Sequence, residues 1–211
     1  MSNIILVSGP VKSGKSSFAE KLVKGFNSEK VAYIATQANE FLDEEFKRRI
    51  VYHQAQRSSN WVTIEQFKYL DKFIRVSAIT EKYQSILLDC VTLWINNLFF
   101  DHLEDYYKNK YKVNQLPNHF TLDDFVETFT NQDIEYMHRY LYREAHQLVK
   151  EMKRTDVNYV IVTNEVGWAI MPHTKIGRIF VDYYGTINQY IASEADEVYI
   201  VELGIPRRIK P

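Results

Sequence analysis

Cysteine is nearly absent, with Cys90 alone in 211 residues. No intrachain disulfide can form, and a lone thiol in an apolar run reads as a buried side chain in a reducing compartment. An excess of charge is missing too. Lys and Arg total 26 against 27 Asp and Glu, a formal net charge of -1. Composition therefore gives no overall electrostatic reason to bind nucleic acid or an anionic membrane. No apolar run approaches the ~20 residues that span a bilayer. The opening MSNIILVSGP has neither the basic start nor the long apolar centre of a secretion signal. Repeats, low-complexity tracts and obvious linkers are lacking as well. What remains is 45% hydrophobic and 25% charged, the balance of a globular protein able to bury a sizeable core. A cytoplasmic location is expected.

The apolar runs that are present are short and rich in β-branched residues, which predicts buried strands. They are NIILVS (3–8), KVAYIAT (30–36), WVTIE (61–65), SILLD (85–89), YVIVTNE (159–165) and, as the last strand, DEVYIVE (196–202). Helical patterns lie between them. Phe18, Leu22 and Val23 follow Lys15 at helical spacing, and so do Leu42, Phe46, Ile50 and His53 in EFLDEEFKRRIVYHQ. Another helix is expected from about Thr174 to Glu194. Continuous apolar strands alternating with helices predict an α/β fold with a mostly parallel central sheet, covered on both faces. Residues 101–120 are polar and Tyr-rich without a clean period and read as a loop. A long helix is expected from Thr121, a candidate N-cap, to Arg154, interrupted near Thr130. Residues 1–211 thus read as a single domain with an insertion around 101–155.

GPVKSGKS, from Gly9 to Ser16, fits G-x-x-x-x-G-K-[ST] with an apolar strand before it and a helix after. In such a loop, backbone N–H groups form an anion nest to which the helix N-terminus adds partial positive charge. Gly14 can adopt a backbone conformation that residues with a Cβ avoid. Lys15 is placed to reach β- and γ-phosphates, and Ser16 to ligate a bridging Mg²⁺. The metal also needs an acid at the end of a neighbouring strand. Asp89, after SILL, and Glu165, after YVIVTN, are the candidates. These residues predict a nucleotide-binding protein, and most simply a phosphotransferase.

Several blocks in order resemble one family. They are SGPVKSGKSSFAEKL, YIAT, DEEFKRRIVYHQAQRSSNWVTIE, LLDCVTLWINNLFF, IVTNEVGWAIMP, GRIFVDYYGTINQYIASEADEVYIV and GIPRRIK. Together they resemble the bifunctional adenosylcobinamide kinase / adenosylcobinamide-phosphate guanylyltransferase family of cobalamin biosynthesis, with the clearest gap from about Phe100 to Asn158. The resemblance implies a three-layer P-loop NTPase (RecA-like) fold. It also implies Mg²⁺, GTP and/or ATP as substrates, a corrinoid acceptor and a homotrimer. The implied chemistry is phosphorylation of adenosylcobinamide, then GMP transfer from GTP through a guanylyl-histidine to give adenosylcobinamide-GDP. The family's histidine stands in R-I-x-x-H, which here is RIVYH and selects His53. A neutral imidazole is nucleophilic near pH 7, and a covalent intermediate divides one difficult transfer into two easier ones.

The remaining implied nucleotide contacts are the whole loop (Gly9, Pro10, Val11, Lys12, Ser13, Gly14, Lys15, Ser16), the turn Ala35, Thr36 and Gln37, and Gln54, Ala55, Gln56 and Arg57 after the histidine. Glu65 and Asp89 match acidic positions of the family. A carboxylate accepts both N1–H and N2–H₂ of guanine, which offers a role for Glu65; a strand-end cap is the plainer one. Asp89 is left open between metal, with Ser16, and base. Trp168 reads as core packing, and Arg178, Asp182, Asn188 and Gln189 as structural or interface residues. Pro10 and Lys12 depart from the family's common G-G-x-R-S-G-K-S loop, and Tyr52 replaces a basic or His residue found in some members. The alternatives are a P-loop kinase for another small metabolite, in which His53 is structural and guanylyl transfer is absent, and a nonenzymatic nucleotide-dependent binding module.

Overall fold

The computed structural model describes residues 2–37, 61–76, 82–168 and 170–210. Seven strands form one sheet: β1 (Asn3–Ser8), β2 (Val31–Ala35), β3 (Val62–Glu65), β4 (Ser85–Asp89), β5 (Asn158–Val162), β6 (Glu197–Glu202) and β7 (Ile205–Lys210). Their order is β3-β2-β4-β5-β1-β6-β7. Every pairing is parallel except β6 with β7. Among the described residues the helices are α1 (Lys15–Gly25), α2 (Leu70–Arg75), α3 (Val91–Tyr111), α4 (Leu122–Glu127), α5 (Asn131–Met152) and α6 (Lys175–Glu194). This is the expected α/β, three-layer P-loop architecture.

Strand side chains alternate between faces, so a fully apolar strand feeds two cores at once. Ile4 and Leu6 of β1 pack into one core with Ile34, Ile86, Leu88 and Ile161. Ile5 and Val7 pack into the other with Tyr33, Leu87, Val160 and Val162. The first core is closed by side chains from α2 to α6, including Trp94, Phe125, Leu141 and Tyr184. The second is closed among the described residues by Ala19 and Val23 of α1. Cys90 is buried, as expected.

The structure corrects several sequence expectations. Residues 101–111 are not loop but the second half of α3. Leu103 and Tyr107 are buried, and Tyr107 and Tyr111 pack ring to ring against each other and against Phe125. These tyrosines form an apolar stripe at helical spacing, which a polar reading of Tyr conceals. The break near Thr130 is real. Thr121 caps α4 and Thr130 caps α5, each in a reciprocal capping box with the aspartate three residues on. β5 ends at Val162, so Asn164 and Glu165 lie beyond the strand. DEVYIVE is not the last strand, because β7 follows it antiparallel. Trp168 is 55% exposed and is not core. The helix expected around His53 lies outside the described residues.

Asp133 fastens the two halves of the helical layer. It caps Thr130 and accepts from Tyr106 Oη at 2.5 Å and Lys110 Nζ at 2.7 Å, both on α3. Burial pushes its carboxyl up. The hydrogen bonds from Lys110, Tyr106 and Thr130 outweigh that and hold it well below the usual carboxylate range. A depressed folded pKa stabilises the native state above the unfolded value of ~3.9 and loses that contribution as pH falls below it. Asp133→Asn should therefore cost about 1–3 kcal/mol at pH 7. It should also flatten the fall of urea-denaturation stability between about pH 4 and pH 2. An equally steep acid fall in the variant would refute this role.

Candidate functional site

The parallel strands end together. Glu65, Ala35, Asp89, Val162, Val7 and Tyr199 occupy one row of paired positions at the carboxyl edge of the sheet. Glu65 and Asp89 flank Ala35, so their backbones stand about 10 Å apart, two strand spacings. Open parallel sheets bind ligands at this edge.

Gly9–Ser16 connects β1 to α1 at the same edge. Gly14 takes φ 91°, left-handed backbone that suits glycine. At Gly9 the reason for glycine is space: an added Cβ would collide with the Val201 carbonyl oxygen and lie 2.7 Å from Ser13 Oγ. Lys15 is 8% exposed, and its Nζ donates to the Pro10 carbonyl at 3.1 Å. Burial lowers its pKa, and the charge of Asp89 opposes that shift. Ser16 is half-buried on the first turn of α1. Val11 and Lys12 are exposed, Pro10 is half-buried and Ser13 is buried.

Asp89 accepts from Tyr33 Oη at 2.6 Å. Next to it, Thr36 is fully buried and ties β2 to β4. Its Oγ1 donates to the Cys90 carbonyl at 2.7 Å and accepts from Cys90 N–H at 2.9 Å. Asn97 Nδ2 donates to the Thr36 carbonyl at 2.8 Å. Gln37 follows, with a buried Nε2 that has no hydrogen-bond partner among the described residues. Glu65 is exposed at the end of β3. Burial pushes the Cys90 thiol up to about 12, so it stays protonated and is a poor nucleophile.

Glu165 behaves differently from Asp89. Its N–H donates to the Gly9 carbonyl at 3.0 Å, and its Oε1 accepts from Gly167 N–H at 2.9 Å. The side chain thus closes its own turn while the backbone holds the loop. His53, Gln54, Ala55, Gln56, Arg57 and Tyr52 lie outside the described residues.

Sequence reasoning did not single out Tyr33, Thr92, Thr163 or Tyr184. Tyr184, fully buried on α6, bonds Thr92 at 2.6 Å and also bonds Thr163. Its hydroxyl accepts from Asn164 N–H at 3.0 Å and lies 2.9 Å from the Asn164 carbonyl. Asn188 joins through Thr163 at 2.8 Å. No local motif announces a buried tyrosine hydroxyl that ties the start of α3 to the chain after β5.

A family model described as cobinamide kinase / cobinamide phosphate guanyltransferase (CobU) matches residues 5–209. The chain belongs to that family. Its relatives include the bifunctional adenosylcobalamin biosynthesis protein CobU of Escherichia coli strain K12. That protein is 34% identical over 207 residues, which is 98% of this chain and 99% of the relative. The Salmonella typhimurium protein of the same name is 33% identical with the same coverage. The bifunctional adenosylcobalamin biosynthesis protein CobP of Pseudomonas aeruginosa is 30% identical over 97% of this chain and 96% of its own length. Among solved structures, a KaiC-like protein of Pyrococcus horikoshii aligns over 94% of this chain and 70% of its own, at 11% identity and a TM-score of 0.42.

The Tyr184 hub yields a direct test. Tyr184→Phe removes a buried hydroxyl from its partners while keeping the ring, and should cost about 1–3 kcal/mol. Urea denaturation should show a lower midpoint with an unchanged far-UV circular dichroism spectrum. A midpoint equal to wild type would show that the network does not hold α3 to the chain after β5.

Proposed function

We propose that this chain phosphorylates a cobinamide and then transfers GMP to the phosphorylated product through His53. The observation that carries this reading is the family match along the chain, coupled to a complete phosphate loop beside Asp89 at one sheet edge. In the first step, the hydroxyl oxygen of the corrinoid's aminopropanol arm attacks the γ-phosphorus of a nucleoside triphosphate. The new O–P bond forms as the bond from γ-phosphorus to the β,γ-bridging oxygen breaks, and the nucleoside diphosphate leaves. Lys15 and the loop N–H groups stabilise charge on the phosphate oxygens.

In the second step, an imidazole nitrogen of His53 attacks the α-phosphorus of GTP and pyrophosphate leaves, giving a phosphoramidate. A phosphate oxygen of the corrinoid phosphate then attacks that phosphorus. The P–N bond breaks and the imidazole is regenerated. Arg57, four residues on, is assigned to phosphate, and Glu65 to the N1–H and N2–H₂ donors of guanine.

The Ser16 hydroxyl and the Asp89 carboxylate are hard oxygen donors, both half-buried and both at the loop's edge of the sheet, and they fit Mg²⁺. Bound there, the ion would neutralise phosphate charge. Residues 38–60 carry the proposed nucleophile, and a cytoplasmic homotrimer is the setting that the family resemblance suggests. Among the described residues no helix is long and apolar enough to cross a membrane.

Incubation with α-³²P-GTP should give a protein-bound label that is acid-labile and alkali-stable, with release of pyrophosphate. His53→Ala should abolish the label and leave cobinamide phosphorylation in place, whereas Lys15→Ala should reduce phosphorylation by at least about a hundredfold. A wild type that phosphorylates cobinamide but never takes up the label would leave a kinase alone. Absence of both activities would refute the proposal.

A further inference from the structure

The phosphate loop is held from outside at two of its carbonyls. Glu165 N–H donates to the Gly9 carbonyl at 3.0 Å, and Gly204 N–H donates to the Ser13 carbonyl at 2.9 Å. The second contact orients a donor of the nest. The Ser13 carbonyl and the Gly14 N–H belong to one planar trans peptide and point in opposite directions. Fixing the carbonyl outward fixes the Gly14 N–H to the other side. The first contact does no equivalent service, because the peptide after Gly9 leads into Pro10, which has no N–H.

This peptide needs a lock. Gly14, on its far side, has φ 91° and a wide range of backbone conformations, so rotation of the Ser13–Gly14 unit is cheap. The lock is the tip of the β6–β7 hairpin. Leu203 and Gly204 form its turn with φ 52° and φ 80°. The turn lies so close that a Cβ on Gly14 would sit 3.3 Å from Gly204 Cα. Its construction does not serve the core. Leu203 is 96% and Ile205 70% exposed, and β7 is exposed at every position but its last. A Cβ added to Gly204 would meet nothing within 4 Å. Glycine there answers to the left-handed backbone and not to crowding.

We propose that the Leu203–Gly204 turn is a positioning device for the phosphate loop, acting through the Gly204 N–H on the Ser13 carbonyl to hold the Gly14 N–H toward the bound phosphates. The inference rests on the reading that Gly9–Ser16 binds a nucleoside triphosphate. The turn touches no reacting atom. It sets the direction of a group that does.

The test compares Gly204→Asn, Gly204→Ala and Gly204→Val. Asn tolerates left-handed backbone and keeps the N–H in place, whereas a β-branched residue resists that conformation. Calorimetric titration with GTP and with inorganic triphosphate, at a temperature where each variant is folded, is the readout. Gly204→Val should weaken both ligands by about tenfold, Gly204→Ala by less, and Gly204→Asn should stay within about twofold of wild type. If Gly204→Val fails to fold, the Ala and Asn pair carries the comparison. Wild-type affinity in folded Ala and Val variants would overturn the proposal, as would an Asn variant as weak as Val or a wild type that binds neither ligand. A wild type that binds GTP but transfers nothing to cobinamide would sink the functional reading and leave the positioning role standing.

Discussion

A loop that turns its N–H groups toward an anion must turn its carbonyls away from it, and those carbonyls need donors. That constraint organises much of the described sheet edge. The Pro10 carbonyl accepts from Ser13 N–H and Lys15 Nζ, the Gly9 carbonyl from Glu165, and the Ser13 carbonyl from Gly204. The external donors come from the loop after β5 and the turn after β6, the two strands flanking β1. The nest is therefore bolted to its neighbours on both sides. Tyr184, by gathering Thr163 and Asn164, steadies the chain that leads to Glu165. A hydroxyl deep in the helical layer is thus linked by consecutive bonds to the phosphate loop.

Depth of burial separates the polar groups that hold the frame from those left for chemistry. Thr36 and Thr163 are fully buried, and their hydroxyls are satisfied, Thr36 by the Cys90 backbone after β4 and Thr163 by Asn188 on α6. An unmade bond at that depth would cost more than the net gain from a made one. Ser16, Asp89 and Glu65 lie nearer the surface on the same edge. Cys90 sits beside Asp89, yet its thiol is held protonated by burial. The edge thus keeps its thiol inert while leaving a hydroxyl and two carboxylates nearer the surface.

Strands β1 and β4 were legible to the residue, because an apolar run buried on both faces has no competing reading. The phosphate loop was legible because its spacing is a covalent requirement. The second half of α3 was not, since its stripe is built of Leu103, Tyr107 and Tyr111, and tyrosine packs by its ring while scoring as polar. β7 escaped for the opposite reason: IPRRIK buries almost nothing, so no alternation marks it. The site divides in the same way. Lys15 and Asp89 follow from motif and strand end. Tyr33, Tyr184 and Gly204 act through contacts between elements distant in sequence, which a local pattern cannot express.

Several side chains that could compete with the proposed nucleophile His53 are engaged elsewhere in the fold. A covalent transfer needs an accessible, partly deprotonated nitrogen or sulfur. The Cys90 thiol is buried and protonated. His102 stacks on Tyr140 with ring centroids 3.6 Å apart, His138 stacks on Tyr183 and His146 on Tyr190. Burial also lowers the pKa of His102, as does Arg143, while Asp105 and Asp101 pull it back up. These three rings belong to α3 and α5, and each is engaged in an aromatic stack in the helical layer. His119 and His173 are exposed, so it is the family pattern, and not burial, that sets His53 apart from them. His53 lies in sequence between β2 and β3, whose pairing sets Ala35 level with Glu65 at the edge where the phosphate loop lies.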